Sequence, residues 1–431
     1  MFKSSKYQRF KGKSKWNIWQ LFRATNFESL MYPCFTFCRI LGIFPYKINV
    51  STIKIYKPYY ILSTIIICVF CVCELISLYK INVSKNIMYL NEPKKFQNNC
   101  FFIFGGFITI FTFILCKPRM RLIQTILELS LKLPPESYQD LSRLIHAKDI
   151  FGFFIIVLSI FLEESILYFR VQYDILQEIF ALYIVLLVFQ MDMLYVNCVC
   201  VLKACFKQIN DNVANLGKCV VNDKPYIRKR TYCKEKNLFL LMKLKALEKQ
   251  HLMISDTVQM LNMIFSLQLL ATITITFVEV TFVLYFYIIQ WKIDVLVNYL
   301  NNQIYDLFLL LLMIYYSIKM IMIVWACETG KTQATEINTT VHNLLNNTSD
   351  KHIKCELQLF SLQLMHHKNV FSAKGLIVDA TLLTDVNKRL FVTLNVIMFH
   401  FILCSCFSDG GWNYQIFIYL DTIFIHDKLL W

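Results

Sequence analysis

Residues 259–289 read QMLNMIFSLQLLATITITFVEVTFVLYFYII and carry a single charged side chain, Glu279. A helix needs about 20 residues to cross the roughly 30 Å hydrocarbon core of a bilayer, so this stretch is long enough to span it. Six further apolar runs are of comparable length: 59–79, 98–116, 150–169, 178–204, 304–328 and one within 375–407. The pattern predicts an all-α polytopic membrane protein with seven transmembrane helices.

Composition agrees with that fold class, and the motifs do not indicate catalysis. Hydrophobic residues make up 57% of the 431 positions and charged residues only 17%, which is too apolar for an ordinary soluble domain. Gly330, Lys331 and Thr332 resemble the end of a phosphate-binding loop, but Trp325 stands where its first glycine belongs. We therefore predict no enzyme, no cofactor and no metal.

The basic residues between the runs predict the orientation. Lys and Arg number eleven in 1–57, six in 117–148, eleven in 205–257 and five in 330–375, whereas the segments between hold four, one and one. Because basic loops stay in the cytosol, we expect a cytoplasmic N-terminus in a multi-pass protein of the plasma membrane. The net charge of +15 then indicates contact with anionic membrane lipid, not nucleic acid.

This orientation divides the chain into three parts. Residues 1–57 form a basic cytoplasmic segment, and residues 58–407 form the seven-helix domain with cytoplasmic helical loops at 205–258 and 329–375. Residues 408–431 form an extracellular tail. The fifth run continues inward without Pro or Gly, and its apolar seam packs either within the chain or between subunits: Leu240, Leu244, Leu247, His251, Ile254, Val258 and Leu261. Two further cytoplasmic helices are predicted around 337–344 and 357–364.

Acidic and aromatic side chains share the predicted outer halves of the runs. Ionisable groups inside a membrane mark functional sites, and carboxylates beside aromatic rings suit a small polar ligand. The residues suit either a polyhydroxylated ligand, such as a sugar, or a weakly cationic small ligand. The candidate ligand-binding residues are Glu74, Glu163, Glu164, Tyr168, Tyr183, Asp192, Phe277, Glu279, Phe282, Tyr285, Tyr305 and Phe308. Lys319, in the inner half of the sixth run, is expected to extend its ammonium group toward the interface.

Two motifs resemble the insect gustatory receptor family. They are FCRILGIFPY at 37–46 and HKNVFSAKGLIVDATLL at 367–383, the second including Phe371, Ser372, Ala373, Lys374, Gly375, Asp379, Thr381, Leu382 and Leu383. The resemblance implies a ligand-gated, non-selective cation channel used in taste perception. It implies a tetramer, either of identical chains or with other gustatory receptor subunits. It also implies a tastant pocket between the outer halves of the helices and a pore lined by the last helix.

The ending departs from that family. After Thr384 the chain lacks the usual Thr-Tyr, apolar run, Gln-Phe signature and reads DVNKRL instead. Thr393, Asn395 and His400 are the pore candidates in this ending. The departure keeps open a second function, a non-conducting or regulatory chemoreceptor subunit. A G-protein-coupled receptor is disfavoured because its N-terminus would lie outside the cell.

Overall fold

A computed structural model describes residues 23–49, 52–83, 92–167, 175–221, 230–293, 299–348, 350–367, 369–373, 376–379, 381–382, 384–385 and 388. The helices are α1 (Phe27–Ile40), α2 (Lys57–Val83), α3 (Glu92–Ile114), α4 (Cys116–Ser130), α5 (Pro135–Leu167), α6 (Ile175–Val221), α7 (Arg230–Ile293), α8 (Tyr299–Asn347) and α9 (Lys351–His366). The chain also forms two short antiparallel strand pairs. Strands β1 (Tyr46–Asn49) and β2 (Thr52–Ile55) lie between α1 and α2, and strands β3 (Ser372–Ala373) and β4 (Leu376–Ile377) follow α9.

Six of these helices, α2, α3, α5, α6, α7 and α8, are long and apolar enough to cross a membrane. They coincide with the first six predicted runs and confirm a polytopic, almost wholly helical fold. The seventh predicted span, within 375–407, lies outside the described residues. The division into three domains stays a prediction, since 1–22 and 389–431 lie outside them too.

Helix α6 forms the centre of the bundle. Every residue from 187 to 202 is buried, as expected of a helix that is apolar on all sides and enclosed by other helices. It packs against α3, α7 and α8. Helix α2 lies at the edge, where Ile61, Leu62, Ile65, Val69 and Val72 are exposed and face lipid in a membrane protein.

Helix α7 extends far beyond the membrane, as the absence of Pro and Gly predicted. Its 64 residues span about 96 Å at 1.5 Å per residue, roughly three times the hydrocarbon core. Its apolar seam from Leu240 to Leu261 is buried inside the chain itself, which favours the first of the two packing alternatives. His251 lies on that seam against Phe206 and Phe360, and Gln363 of α9 lies 3.1 Å from its Nδ1.

One predicted helix boundary is wrong. Residues 337–344 do not form a separate helix after the sixth span, because α8 continues without a break to Asn347. Gly330 lies in the middle of α8, and glycine costs only about 1 kcal/mol in a helix interior. The apolar face of Ile337, Val341 and Leu344 is buried, which offsets that cost.

The first motif, residues 37–46, forms the end of α1 and the turn that leads into β1. Helix α1 starts in a capping box between Asn26 and Ser29 and ends before Gly42, whose φ of 72° favours glycine. The chain then enters β1, where the buried Tyr46 hydroxyl donates a hydrogen bond to the Cys116 carbonyl at the start of α4. Burial raises the pKa of Tyr46 well above its ordinary value, so this hydroxyl stays a donor.

The second motif forms the β3–β4 hairpin against α7. Asn262 of α7 donates from Nδ2 to the Val370 carbonyl at 2.7 Å, and its Oδ1 accepts from the Ser372 amide at 3.2 Å. One side chain therefore holds the backbone on both sides of Phe371. Phe371 is 1% exposed, and a Cβ at Gly330 would lie 2.9 Å from its ring.

Replacing Asn262 with Ala is expected to destabilise the protein by about 1–3 kcal/mol, because it leaves a partly buried carbonyl and a partly buried amide of the hairpin unpaired. Asn262→Asp keeps the acceptor and loses the donor, so an intermediate loss is expected. The measurement is the Tm of the purified protein in detergent. Met263→Ala, at an adjacent residue that is 73% exposed, serves as the control. An Asn262→Ala protein as stable as the control would contradict this role.

Candidate functional site

A buried ion pair lies in the middle of the helix bundle. Lys319 of α8 places its Nζ 3.6 Å from Asp192 Oδ2 of α6, and their side chains are 2% and 0% exposed. Thr272 of α7 donates to Asp192 Oδ1 at 3.0 Å. The Lys319 ammonium also lies 5.7 Å and 5.3 Å from the ring centroids of Tyr315 and Tyr316. The predicted extension of Lys319 toward the interface is therefore wrong, because Asp192 and two aromatic rings stabilise its charge inside the bundle.

A second polar group lies farther along α7. Glu279 is buried, and Gln97 of α3 donates from Nε2 to Glu279 Oε2 at 2.7 Å. Lys94, one turn away on α3, donates to Gln97 Oε1 at 3.0 Å. Glu279 is seven residues beyond Thr272, so this group lies about 10 Å from the Asp192 pair along the helix axis.

Aromatic rings border the Glu279 group. Phe282 lies 5.9 Å from Phe96, 6.3 Å from Tyr285 and 6.2 Å from Phe286, measured between ring centroids. Residues 279, 282 and 286 share one face of α7 because they are spaced by three, four and seven residues. The Lys94 ammonium lies 5.6 Å from the Phe286 centroid. This arrangement offers a carboxylate, an amide and an ammonium group beside ring faces.

Other candidate residues lie elsewhere. Glu74 is buried where α2 meets α3, and a Cβ at Gly106 would lie 2.7 Å from its Oε1, so only glycine fits there without displacing the carboxylate. Gly106 is nine residues from Gln97, about 13 Å along α3. Tyr183 donates to the Leu41 carbonyl at 3.0 Å, away from Glu279.

Of the remaining candidates, two are half-buried, and the others have side chains that the structure does not describe. Phe277 and Phe308 are half-buried. The structure does not describe the side chains of Glu163, Glu164, Tyr168 and Tyr305, or the residues Lys374, Gly375, Leu383, Thr393, Asn395 and His400. Their roles stay predictions.

The sequence reasoning missed Lys94, Gln97 and the partner of Asp192. One signal was available for the last of these. Spans 178–204 and 304–328 run in the same direction, and Asp192 and Lys319 lie 14 and 15 residues from their respective starts. Opposite charges at equal depth in neighbouring spans are expected to pair, since an unpaired charge in a bilayer is costly. Lys94 was counted only as a loop charge, and Gln97 has no charge to draw attention.

Asp379 of the second motif contacts both the segment that follows the β3–β4 hairpin and Lys331 of α8. Asp379 accepts hydrogen bonds from the amide and hydroxyl of Thr381, in the manner of a helix N-cap, and Thr381, Leu382, Thr384, Asp385 and Lys388 have helical backbone. The hydrogen bond from Thr381 is the main cause that lowers the pKa of Asp379, so its carboxylate is charged at neutral pH. Lys331 of α8 lies 3.6 Å from that carboxylate.

A bundle of long apolar helices with a buried ion pair is typical of a multi-pass membrane protein. Similarity to known proteins places the chain among receptors, not enzymes. A family profile described as 7tm Chemosensory receptor matches residues 31–384. The chain therefore belongs to this family of insect chemosensory receptors. This confirms the resemblance drawn from the two motifs.

Individual comparisons give one partial sequence match and one similar fold. The chain is 30% identical over 159 residues to "Putative gustatory receptor 28b" of Drosophila melanogaster, an alignment that covers 34% of this chain and 32% of that protein. The match thus spans about a third of the relative's length. The fold is similar to the insect olfactory receptor OR5 from Machilis hrabei, with a TM-score of 0.61, 11% identity and coverage of 85% of this chain and 97% of that one. The same receptor in complex with eugenol gives a TM-score of 0.60, 12% identity and the same coverage.

Proposed function

We propose that this chain is a gustatory receptor that works as a ligand-gated, non-selective cation channel and responds to a small polar tastant of the sugar class. The observation that carries the proposal is the buried contact between Gln97 and Glu279, with Lys94 beside it. A carboxylate accepts hydrogen bonds, an ammonium group donates them and an amide does both, so the group matches the hydroxyls of a polyhydroxylated ligand. The adjacent Phe and Tyr rings suit the apolar faces of such a ligand.

The relatives support a small-molecule ligand without identifying it. One carries the name of a gustatory receptor, and the similar olfactory receptor is known in complex with eugenol. We propose that the ligand of this chain binds between α3 and α7, where Gln97 and Glu279 meet. The proposal includes a cytoplasmic N-terminus, which puts the Glu279 group toward the exterior, where a tastant arrives.

The remaining parts of the proposal follow from the family resemblance. The channel is a tetramer in the plasma membrane, formed by this chain alone or with other gustatory receptor subunits. The segment after Asp379 starts the helix that lines the pore, with Thr393, Asn395 and His400 as its candidate lining residues. The helical backbone around Thr381 supports the start of that helix.

The test is sugar-evoked current in cells that express this chain alone. Glu279→Gln keeps the size of the side chain and removes the charge, so a hydroxyl loses a charge-assisted hydrogen bond that contributes about 1.5–3 kcal/mol. We expect the half-maximal sugar concentration to rise by roughly 10- to 100-fold, since 1.4 kcal/mol corresponds to a factor of ten.

Asp256→Asn is the matched control, because Asp256 is an exposed acid on the same helix, 23 residues nearer its start. Surface labelling confirms equal amounts of each protein. An unchanged sugar response in the Glu279→Gln protein, beside a normal control, would contradict the assignment of the ligand site.

A second candidate function is a regulatory subunit that does not conduct alone. The altered sequence after Thr384 favours it, because that segment supplies the last helix in the family. Co-expression with a conducting gustatory receptor separates the two functions. A regulatory subunit gives no current by itself and changes the ligand sensitivity or current size of its partner, whereas a channel conducts alone.

A further inference from the structure

A cavity of about 310 Å³ lies where α1, the β1–β2 hairpin and the start of α2 meet. One face of α1 forms a wall, because Glu28, Tyr32, Phe35 and Arg39 are spaced by four, three and four residues. The volume is at the lower end of the range for small-molecule sites, roughly 300–1,000 Å³. The cavity is separate from the Glu279 group.

The opposite wall carries a second base and two tyrosines. Lys47 of β1 lines the cavity together with Tyr56 and Tyr59, whose ring centroids are 4.9 Å apart. Both tyrosines are more than 40% exposed, and the next turns of α2 expose Ile61 and Leu62. Tyrosine is enriched at membrane–water interfaces, immediately outside the apolar part of a span. The cavity therefore lies at the level of lipid headgroups.

Among the described residues, no carboxylate forms an ion pair with Arg39 or Lys47, the two bases at one end of this cavity. Arg39 donates from Nη2 to the Tyr46 carbonyl at 3.4 Å and lies 5.9 Å from the Phe44 centroid, but its buried Nε has no hydrogen-bond partner among the described residues. Lys47 stands directly opposite Lys54 in the hairpin, and like charges at opposed positions are destabilising. An anion at this position would accept from Arg39 and offset the repulsion between the lysines.

The acidic end of the cavity is remote from these bases. Glu28 is eleven residues from Arg39, about 16 Å along α1. An anion bound by Arg39 and Lys47 is thus well separated from the Glu28 carboxylate. The matching ligand carries a phosphate at the basic end and an apolar body that leaves along the tyrosines toward the lipid-facing side of α2.

We propose that this cavity binds the phosphate of an anionic phospholipid headgroup, with Arg39 and Lys47 as its donors and Tyr56 and Tyr59 against the glycerol and the first methylenes. Guanidinium and ammonium groups are the usual protein partners of phosphate. In the proposed orientation the site faces the cytoplasmic leaflet, where anionic lipids are concentrated.

The test is the Tm of the purified full-length protein in detergent, titrated with phosphatidylserine, phosphatidylcholine or inorganic phosphate. We expect phosphatidylserine to raise the Tm and phosphatidylcholine to have little effect. Lys47→Gln is expected to weaken the phosphatidylserine effect at least fivefold in concentration. Lys47 is exposed, so its replacement leaves the fold intact. Arg39→Gln is expected to weaken the effect further.

Two variants serve as controls. Arg121→Gln removes an exposed base of α4 that does not line the cavity, and Glu28→Gln changes the remote acid of the same cavity. Both should respond to phosphatidylserine like the unaltered protein. Equal effects of the two lipids, or an unchanged response in Lys47→Gln, would overturn the proposal. A matching effect of inorganic phosphate would assign the cavity to a soluble anion and overturn the lipid. None of these results depends on which tastant the channel binds.

Discussion

Replacing Lys319 with Met is expected to destabilise the protein by about 3–5 kcal/mol, because it leaves the Asp192 carboxylate charged and unpaired inside the bundle. Asp192→Asn is expected to have a similar effect, since the Lys319 ammonium then loses its partner. Each variant should show a lower Tm in detergent and less protein at the cell surface.

The double variant Asp192→Asn/Lys319→Met distinguishes an unpaired charge from lost packing. With both charges removed, no uncompensated ion remains, and a neutral pair of similar volume is often as stable as a buried ion pair. We therefore expect the double variant to recover most of the stability lost by either single variant. Lys249→Met, at an exposed position of α7, is the control. A double variant less stable than both singles would contradict this account.

Replacing Phe371 with Ala is also expected to cost about 3–5 kcal/mol. The ring is 1% exposed and packs against Gly330 of α8, so its loss opens a cavity between α8 and the second motif. Leu376→Ala, in the same hairpin at a residue 37% exposed, should cost clearly less. The measurement is the Tm in detergent, with sugar-evoked current as a second readout.

Gly330 provides a direct test of that contact. In Gly330→Ala the new Cβ would lie 2.9 Å from Phe371 Cε2 and 3.2 Å from Cζ, so the ring must move. In Gly330→Ala/Phe371→Ala the ring is absent and the methyl group partly fills the cavity. The double variant should therefore lose less stability than the sum of the two single losses. Additive losses would show that the two residues do not interact.

The long helices could be predicted from the sequence because a membrane span is defined by local composition and length. The same holds for the extension of α7, which required only the absence of Pro and Gly. The seam could not be assigned to one packing partner, since a heptad pattern specifies an apolar stripe and not the helix that covers it. The structure shows that α9 and the other helices of the same chain cover it.

The candidate site was predicted less completely. Carboxylates at depth identified Asp192 and Glu279, because charge inside an apolar run is conspicuous. Their partners come from other helices, and which side chains meet depends on how each helix is rotated about its axis. Helix α1 and the β1–β2 hairpin were not predicted, because short elements with mixed composition resemble loops. Asp379 was recognised only as part of a motif, and its contacts with Thr381 and Lys331 needed the tertiary structure.

Helix α7 carries both Glu279 and His251 on one continuous helix. The two residues are 28 positions apart, which corresponds to about 42 Å, and no Pro or Gly lies between them. Because the helix is continuous, a rotation about one of these residues displaces the other. If it pivots by about 5° at Glu279, simple geometry moves His251 and the α9 residues packed on it by roughly 4 Å. A small rotation about Glu279 thereby becomes a displacement near His251 that is roughly two-thirds of one helical turn.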